Sequence, residues 1–269
     1  MKNACFQTHL SLILGNKNGV YFNLDNLVYY ILVALAALIS LSVHEFAHGY
    51  MAYKLGDDTA RNLGRLTINP LKHIDPFGAI CMILFRFGWA KPVPINARNF
   101  KKPKRDFALV AMAGPIANII LSFLGAFLYL LTFSLVKDIV FTEKNFLFHV
   151  LNNLLTFLFA FHSLNIGLAI FNLIPIPPLD GSRILNVILP PKAYFGIMKY
   201  ERYIYWGLIG WLLLGPYVTA FLLRFSFIAT NPVLSTIAGI FSLSNILSSV
   251  MSFFSNAMIS LLSLIPFLR

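Results

Sequence analysis

The chain has 269 residues, 58% of them apolar and only 12% charged, with a mean hydropathy of +0.75 and a formal net charge of +11. Ordinary globular domains are less apolar and about twice as charged, so the composition excludes a soluble protein of the usual kind and describes an integral membrane protein. In such a chain excess lysine and arginine marks cytoplasmic loops, and the positive charge is not read as a nucleic-acid surface.

The chain begins MKNACFQTHLSLILG, whose apolar run is too short for the core of a cleaved signal peptide. A first span is predicted over residues 27–51. Residues 52–106 are polar and broken by glycine and proline, with a short apolar piece at 77–85 that cannot cross a bilayer. A second span covers 107–136, a connector 137–149, and a third span 150–174, which runs into NLIPIPPLDG. A polar stretch at 190–202 leads to a span at 203–223. The serine-rich apolar tail, 233–268, fits one tilted helix or two shorter ones. Cys5 and Cys81 fit neither a disulfide framework nor a cysteine zinc site. The predicted fold is all-α: a polytopic helical bundle of about five or six spans, with a small β-like segment in the cytoplasmic-side loop. It is expected to form one membrane-embedded domain over 1–269, with a core at 27–190 and C-terminal helices over 200–268.

Charge sets the expected orientation. Residues 52–106 carry eleven Lys/Arg against four Asp, and residues 183–202 carry four against one Glu. The connector at 137–149 is balanced, with two Lys, one Asp and one Glu. The first two segments therefore face the cytoplasm and the connector faces outward. The first and third spans both run inward. His44 lies seventeen residues into the first span, or about 26 Å of helix, near its cytoplasmic end. Topology alone brings IPIPPLDG to the same depth.

The first span contains His44, Glu45 and His48, in HEFAH. Two histidines four apart share one helix face, a spacing that suits two zinc ligands. Glu45 would flank that site as the base that takes a proton from an acidified water. Histidines within spans also pair with backbone or with each other. However, of three glutamates only Glu45 lies in a span, and an ionisable residue there is a functional candidate by default. A catalytic zinc needs a third protein ligand. Asp180 alone among seven aspartates directly follows an intramembrane run at the right depth. Pro175, Pro177 and Pro178 forbid a regular helix before it, Gly181 frees the backbone after it, and the break would admit water. The alternatives are that Asp180 caps the next helix, or that His162, nearer the bilayer centre, is the third ligand.

HEFAH in the first span and NLIPIPPLDG at the end of a later one together resemble the site-2 protease family of intramembrane zinc metalloproteases. GRLTINPLKHIDPFG, WAKPVPINARNF and AGPIAN extend the likeness over most of residues 40–190. The resemblance implies one zinc per chain held by His44, His48 and Asp180, with Glu45 as the base. It also implies that Asn172 helps to hold substrate or the oxyanion; alternatively, Asn172 satisfies backbone groups freed by the prolines. No loop is long enough for a PDZ domain and the tail is apolar, so the chain resembles the compact subgroup without PDZ or CBS domains.

The expected activity is endoproteolysis within or near transmembrane segments of other proteins, as in regulated intramembrane proteolysis. The expected partners are a transmembrane protein substrate and membrane lipids, with no nucleic acid. The expected location is the cell membrane, multi-pass, with the site toward the cytoplasm. A metal-ion or proton transporter using the same residues is the alternative, though no second copy of the broken segment accompanies the first. A family member that binds without cutting is another. FGWAKPVPINARNF reads as an extended segment that could pair with an unwound substrate, or as an interfacial loop anchored by Trp89. AGPIANI permits close helix contact, and Asn118 is expected to reach another helix in a structural role. KKPKR at 101–105 reads as a cytoplasmic anchor touching anionic lipid. His73 and Asp75 are either a pair supporting the site or turn residues.

Overall fold

The computed structural model describes residues 24–78, 90–142, 146–240 and 242–265. The predicted pieces at 1–23 and 79–89, with Cys5, Cys81 and Trp89, lie outside the described residues. Helix α1 spans Leu24–Lys54 and the single-turn α2 spans Thr59–Asn62. Two long helices follow, α3 at Pro103–Thr142 and α4 at Phe146–Leu173. Then come α5 at Asp180–Ile188, α6 at Pro191–Met198 and α7 at Glu201–Leu222. The tail forms α8 at Ser226–Thr230, α9 at Pro232–Ile240 and α10 at Leu243–Leu262. The two-helix version of the serine-rich tail is thus the observed one. Among the described residues five helices, α1, α3, α4, α7 and α10, are long and apolar enough to cross a membrane.

Helix α3 is the centre of the bundle. It packs along α4 and α1, and α5 lies against it; α10 covers α4, and α7 packs on α10 and α9 and meets α5 through the Arg183–Glu201 ion pair. Tyr129 and Phe133 of α3, Leu155 and Phe159 of α4, and Leu262 of α10 form the main apolar cluster. Pro115 sits inside α3. Proline removes a backbone donor, and within a membrane bundle neighbouring groups compensate.

The expected β-like segment is a correction. Among the described residues no strand forms, and pairing is limited to one antiparallel bridge between Ile74 and Ala90. The reason lies in the donors. Pro92 and Pro94 have none. The N–H of Lys91 makes that one bridge by donating to the His73 carbonyl, but the N–H of Val93 goes to the Glu45 carboxylate and that of Asn96 to the Asp57 carboxylate. The segment is extended, but its donors bind other parts of the chain.

Its anchor is the end of α1. The Gly56 N–H bonds the Tyr53 carbonyl and the Asp57 N–H bonds the Ala52 carbonyl, with Gly56 at φ +101°. This is the glycine-terminated helix end in which two otherwise free carbonyls are satisfied. It places the fully buried Asp57 to receive the Thr59 hydroxyl and N–H, the Asn96 N–H and the Asn99 amide. Burial opposes ionisation of Asp57, but these four donors outweigh it and hold the carboxyl below the usual carboxylate range.

Candidate metal centre

His44 and His48 sit on one face of α1, 5% and 6% exposed. Their rings lie edge to face with centroids 4.6 Å apart, and their Nε2 atoms are 3.0 Å apart. Asp180, the first residue of α5, brings Oδ2 to 3.2 Å from His44 Nε2 and 3.3 Å from His48 Nε2. One ligand atom from each residue lies within 4.8 Å of the others. Topology thus joins residues more than 130 positions apart, as their shared depth predicts.

The outer ring nitrogens face away from this cluster. His48 Nδ1 donates to the Val110 carbonyl at 2.8 Å, and His44 Nδ1 meets Asn118 Oδ1. Both partners are on α3, which runs antiparallel to α1. With each Nδ1 carrying its proton outward, two imidazole lone pairs and a carboxylate oxygen converge. Asp180 Oδ2 is buried and has no hydrogen-bond partner. Three acceptors facing one another repel unless a positive charge lies among them. Two imidazole nitrogens and one carboxylate oxygen are also the donor set of many catalytic zinc sites. The residues fit a divalent metal.

Two glycines make this approach possible. A Cβ on Gly114 of α3 would fall on His48 Nε2 and lie 2.6 Å from His44 Cε1. A Cβ on Gly181 would fall on the carbonyls at the end of α4, those of Leu173 and Ile174. Gly181 is therefore needed for close packing, since its φ is not in the left-handed region. The Pro175–Pro178 break ends α4 and lets the chain turn back so that α5 starts against it. The capping alternative for Asp180 fails: the helix N-cap is Leu179 and no side chain caps the end.

Glu45 is not among the converging groups. Its Oε2 accepts the Val93 N–H at 2.8 Å. Val93 is 5% exposed and packs on Gly49, whose added Cβ would lie 3.2 Å from the valine Cγ1. Val93 is the sole N–H donor among residues 92–94. Asn172 directs its amide to the Leu168 carbonyl of its own helix, at 3.0 Å, and is not in the cluster. His162 is tied elsewhere, with Nδ1 2.9 Å from Ser122 Oγ and Nε2 2.7 Å from Ser255 Oγ. It joins α3, α4 and α10 as a buried packing residue. His73 bonds the Thr67 carbonyl and Asp75 receives the Gly78 N–H, which is turn chemistry.

Sequence reasoning missed Asn165. It is fully buried on α4 and bonds Asn118 at 2.7 Å and Ser40 at 2.8 Å. The available signal was an amide inside an apolar span, where polar groups seek partners on other helices. Arg65 was passed over too; its guanidinium donates to the Lys91 carbonyl at 2.8 Å and steadies the Val93 segment.

The sequence profile of the family described as Peptidase family M50 matches residues 31–194. The chain belongs to peptidase family M50. The matched stretch holds all three converging residues of this M50 protein and stops before α7. The protein is 41% identical to YwhC of Bacillus subtilis, over 67% of this chain and 81% of YwhC. It is 28% identical to Rip2 of Mycolicibacterium smegmatis, over 67% of this chain and 64% of Rip2. Both relatives are provisionally named zinc metalloproteases. A protein of Methanocaldococcus jannaschii named as a zinc metalloprotease is 25% identical over 65% of this chain and 39% of its own length. No solved structure matches this M50 protein.

Proposed function

We propose that this M50 protein is a zinc-dependent endopeptidase that cuts peptide bonds within or near transmembrane segments of other membrane proteins. The observation that carries the reading is the convergence of His44 Nε2 and His48 Nε2, on a helix long enough to span a bilayer, with Asp180 Oδ2 at the start of the short α5, and with Glu45 next to His44 in the chain. His44, His48 and Asp180 would hold one zinc ion, the metal in the names of the relatives. Zinc there supplies Lewis acidity that polarises a carbonyl and acidifies water.

The chain's own residues do the rest. Glu45 lies one residue from His44, with Oε2 held by the Val93 N–H and Oε1 without a hydrogen-bond partner among the described residues, available to accept a proton. It takes that proton from water as the new C–O bond forms, and gives it to the amide nitrogen as the C–N bond breaks. The His44 and His48 rings are held by α3, so the cluster keeps its shape as substrate arrives. Water reaches it along the non-helical Pro175–Pro178 turn, where Asp180 keeps a side-chain exposure of 20%. Asn172, at the end of α4, is assigned to substrate holding. Residues 1–269 act as one membrane-embedded unit. The site faces the cytoplasm, and Lys101–Arg105 rests on anionic lipid.

The test is zinc content and cleavage measured side by side on purified protein, with single-span membrane proteins as substrates. Wild type should hold one zinc per chain; His44→Ala and Asp180→Ala should lose it. Glu45→Gln should keep zinc and lose cleavage by at least about 100-fold, the scale of a missing general base. Wild-type cleavage by Glu45→Gln would refute its role, and full zinc in Asp180→Ala would remove it from the ligand set. Zinc entry into sealed proteoliposomes without peptide cleavage would favour a transporter.

A further inference from the structure

Beyond the three converging residues lies a chain of buried polar side chains that leads away from the cluster. His44 Nδ1 meets Asn118 Oδ1, the Asn118 amide donates to Asn165 Oδ1 at 2.7 Å, and the Asn165 amide donates to Ser40 Oγ and the Phe161 carbonyl, both at 2.8 Å. Ser40 Oγ in turn donates to the Ala36 carbonyl at 2.7 Å. Asn118, Asn165 and Ser40 are all 0% exposed. The chain crosses three helices, α1, α3 and α4.

We infer that Asn118, itself held by Asn165, is the positioning residue that sets His44 in the tautomer and orientation needed to bind zinc. The inference rests on the zinc reading above. The far end of the chain fixes its polarity. Backbone carbonyls can only accept, so the group that Asn165 turns to Phe161 must be its NH2. Its oxygen then faces Asn118. Asn118 must present its NH2 to that oxygen and its own oxygen to His44. An amide oxygen can only accept, so His44 Nδ1 must carry the proton and Nε2 must be bare. A flipped Asn118 would set two NH2 groups against each other and leave His44 Nδ1 facing a donor. In this fully buried setting each mismatch is costly, because no water can repair it. His48 needs no such device, since its Nδ1 meets a backbone carbonyl directly. The two imidazoles thus reach one state by different routes, and the His44 route depends on side chains that can be changed.

The experiment measures zinc affinity of the purified full chain by chelator competition, together with the visible spectrum of the Co2+-substituted protein. Loss of a partner that orients a metal-bound histidine typically weakens binding by roughly 10- to 100-fold. Asn118→Ala and Asn118→Leu should both fall in that range and change the Co2+ spectrum. The leucine variant keeps the branched outline of asparagine without its hydrogen bonds, and far-UV circular dichroism and Tm report whether its larger methyl groups disturb the packing. Asn165→Ala leaves the His44 contact in place but frees Asn118 to flip, and should show a smaller loss in the same direction. Ser122→Ala is the control. Ser122 is equally buried on the same helix but serves His162, so zinc affinity should stay at the wild-type value. Wild-type zinc affinity and spectrum in Asn118→Leu and Asn165→Ala, with only Tm lowered, would overturn the inference. So would an equal loss in Ser122→Ala. If zinc binding vanishes in His44→Ala yet stays at wild-type affinity in the Asn118 variants, this inference alone falls. If His44→Ala binds zinc like wild type, the metal reading falls with it.

Discussion

The chemistry of this protein depends on which atoms of His44 and His48 are left free. Each ring uses Nδ1 to hold a group on α3 and directs Nε2 toward Asp180. Gly114 is the tightest point of this arrangement, because any side chain there would occupy the place of the imidazoles. Gly114→Ala is therefore expected to expel zinc to a degree comparable with His44→Ala while the helices still form. Zinc content together with far-UV circular dichroism checks this. Normal zinc content in that variant would mean that α3 can retreat from α1. HEFAH was readable at this scale because its two histidines are four residues apart and need only a helix to share one face. Gly114 was visible as a small residue suited to close contact, but what approached it was not. The Asn165 link was invisible because hydrogen bonding between spans depends on helix rotation, which no local pattern encodes.

At the scale of elements, the extended segment after Ala90 does the work of a brace. Asp57, set by the glycine turn that ends α1, grips Asn96 and Asn99, and Arg65 grips Lys91. Between these grips Val93 offers the sole N–H of three residues, and it goes to Glu45. Pro92 and Pro94 hold the backbone extended and remove competing donors. Val93→Pro removes that one hydrogen bond while retaining an apolar residue. It should leave zinc content unchanged and lower turnover by roughly 10-fold, the worth of one charge-assisted hydrogen bond of about 1.5 kcal/mol. Unchanged turnover would show that Glu45 is oriented without the segment. Proline content and hydropathy revealed an extended piece here. They could not reveal that its donors serve α1 rather than a neighbouring strand, because pairing partners are set by tertiary contact.

At the scale of the molecule, five helices among the described residues are long and apolar enough to cross a membrane, and the cluster sits between α1 and the start of α5, just past the end of α4. The orientation proposed from the positive charge of residues 52–106 and 183–202, with the ends of α1 and α4 in the cytoplasm, is open to a direct test. In a Cys5→Ser, Cys81→Ser background, Lys101→Cys should react with a membrane-impermeant thiol reagent only in inside-out vesicles. Phe146→Cys, at the start of α4, should react only in right-side-out vesicles. The reverse pattern would invert the proposed orientation and place the site on the outer side.

Composition and pattern were enough to identify a helical chain with spans long and apolar enough for a membrane, and a paired-histidine motif with an aspartate placed to meet it. These follow from local physics: burial length, charge bias, helical spacing and the refusal of proline to continue a helix. Tertiary structure alone decided that the three acceptors meet, that His162 serves α10 instead, that Asn118 and Asn165 govern a ring nitrogen, and that a proline-flanked N–H reaches the glutamate. Each of these depends on the rotation and close approach of one helix against another, and a side chain's neighbours across such an interface are not written in its neighbours along the chain.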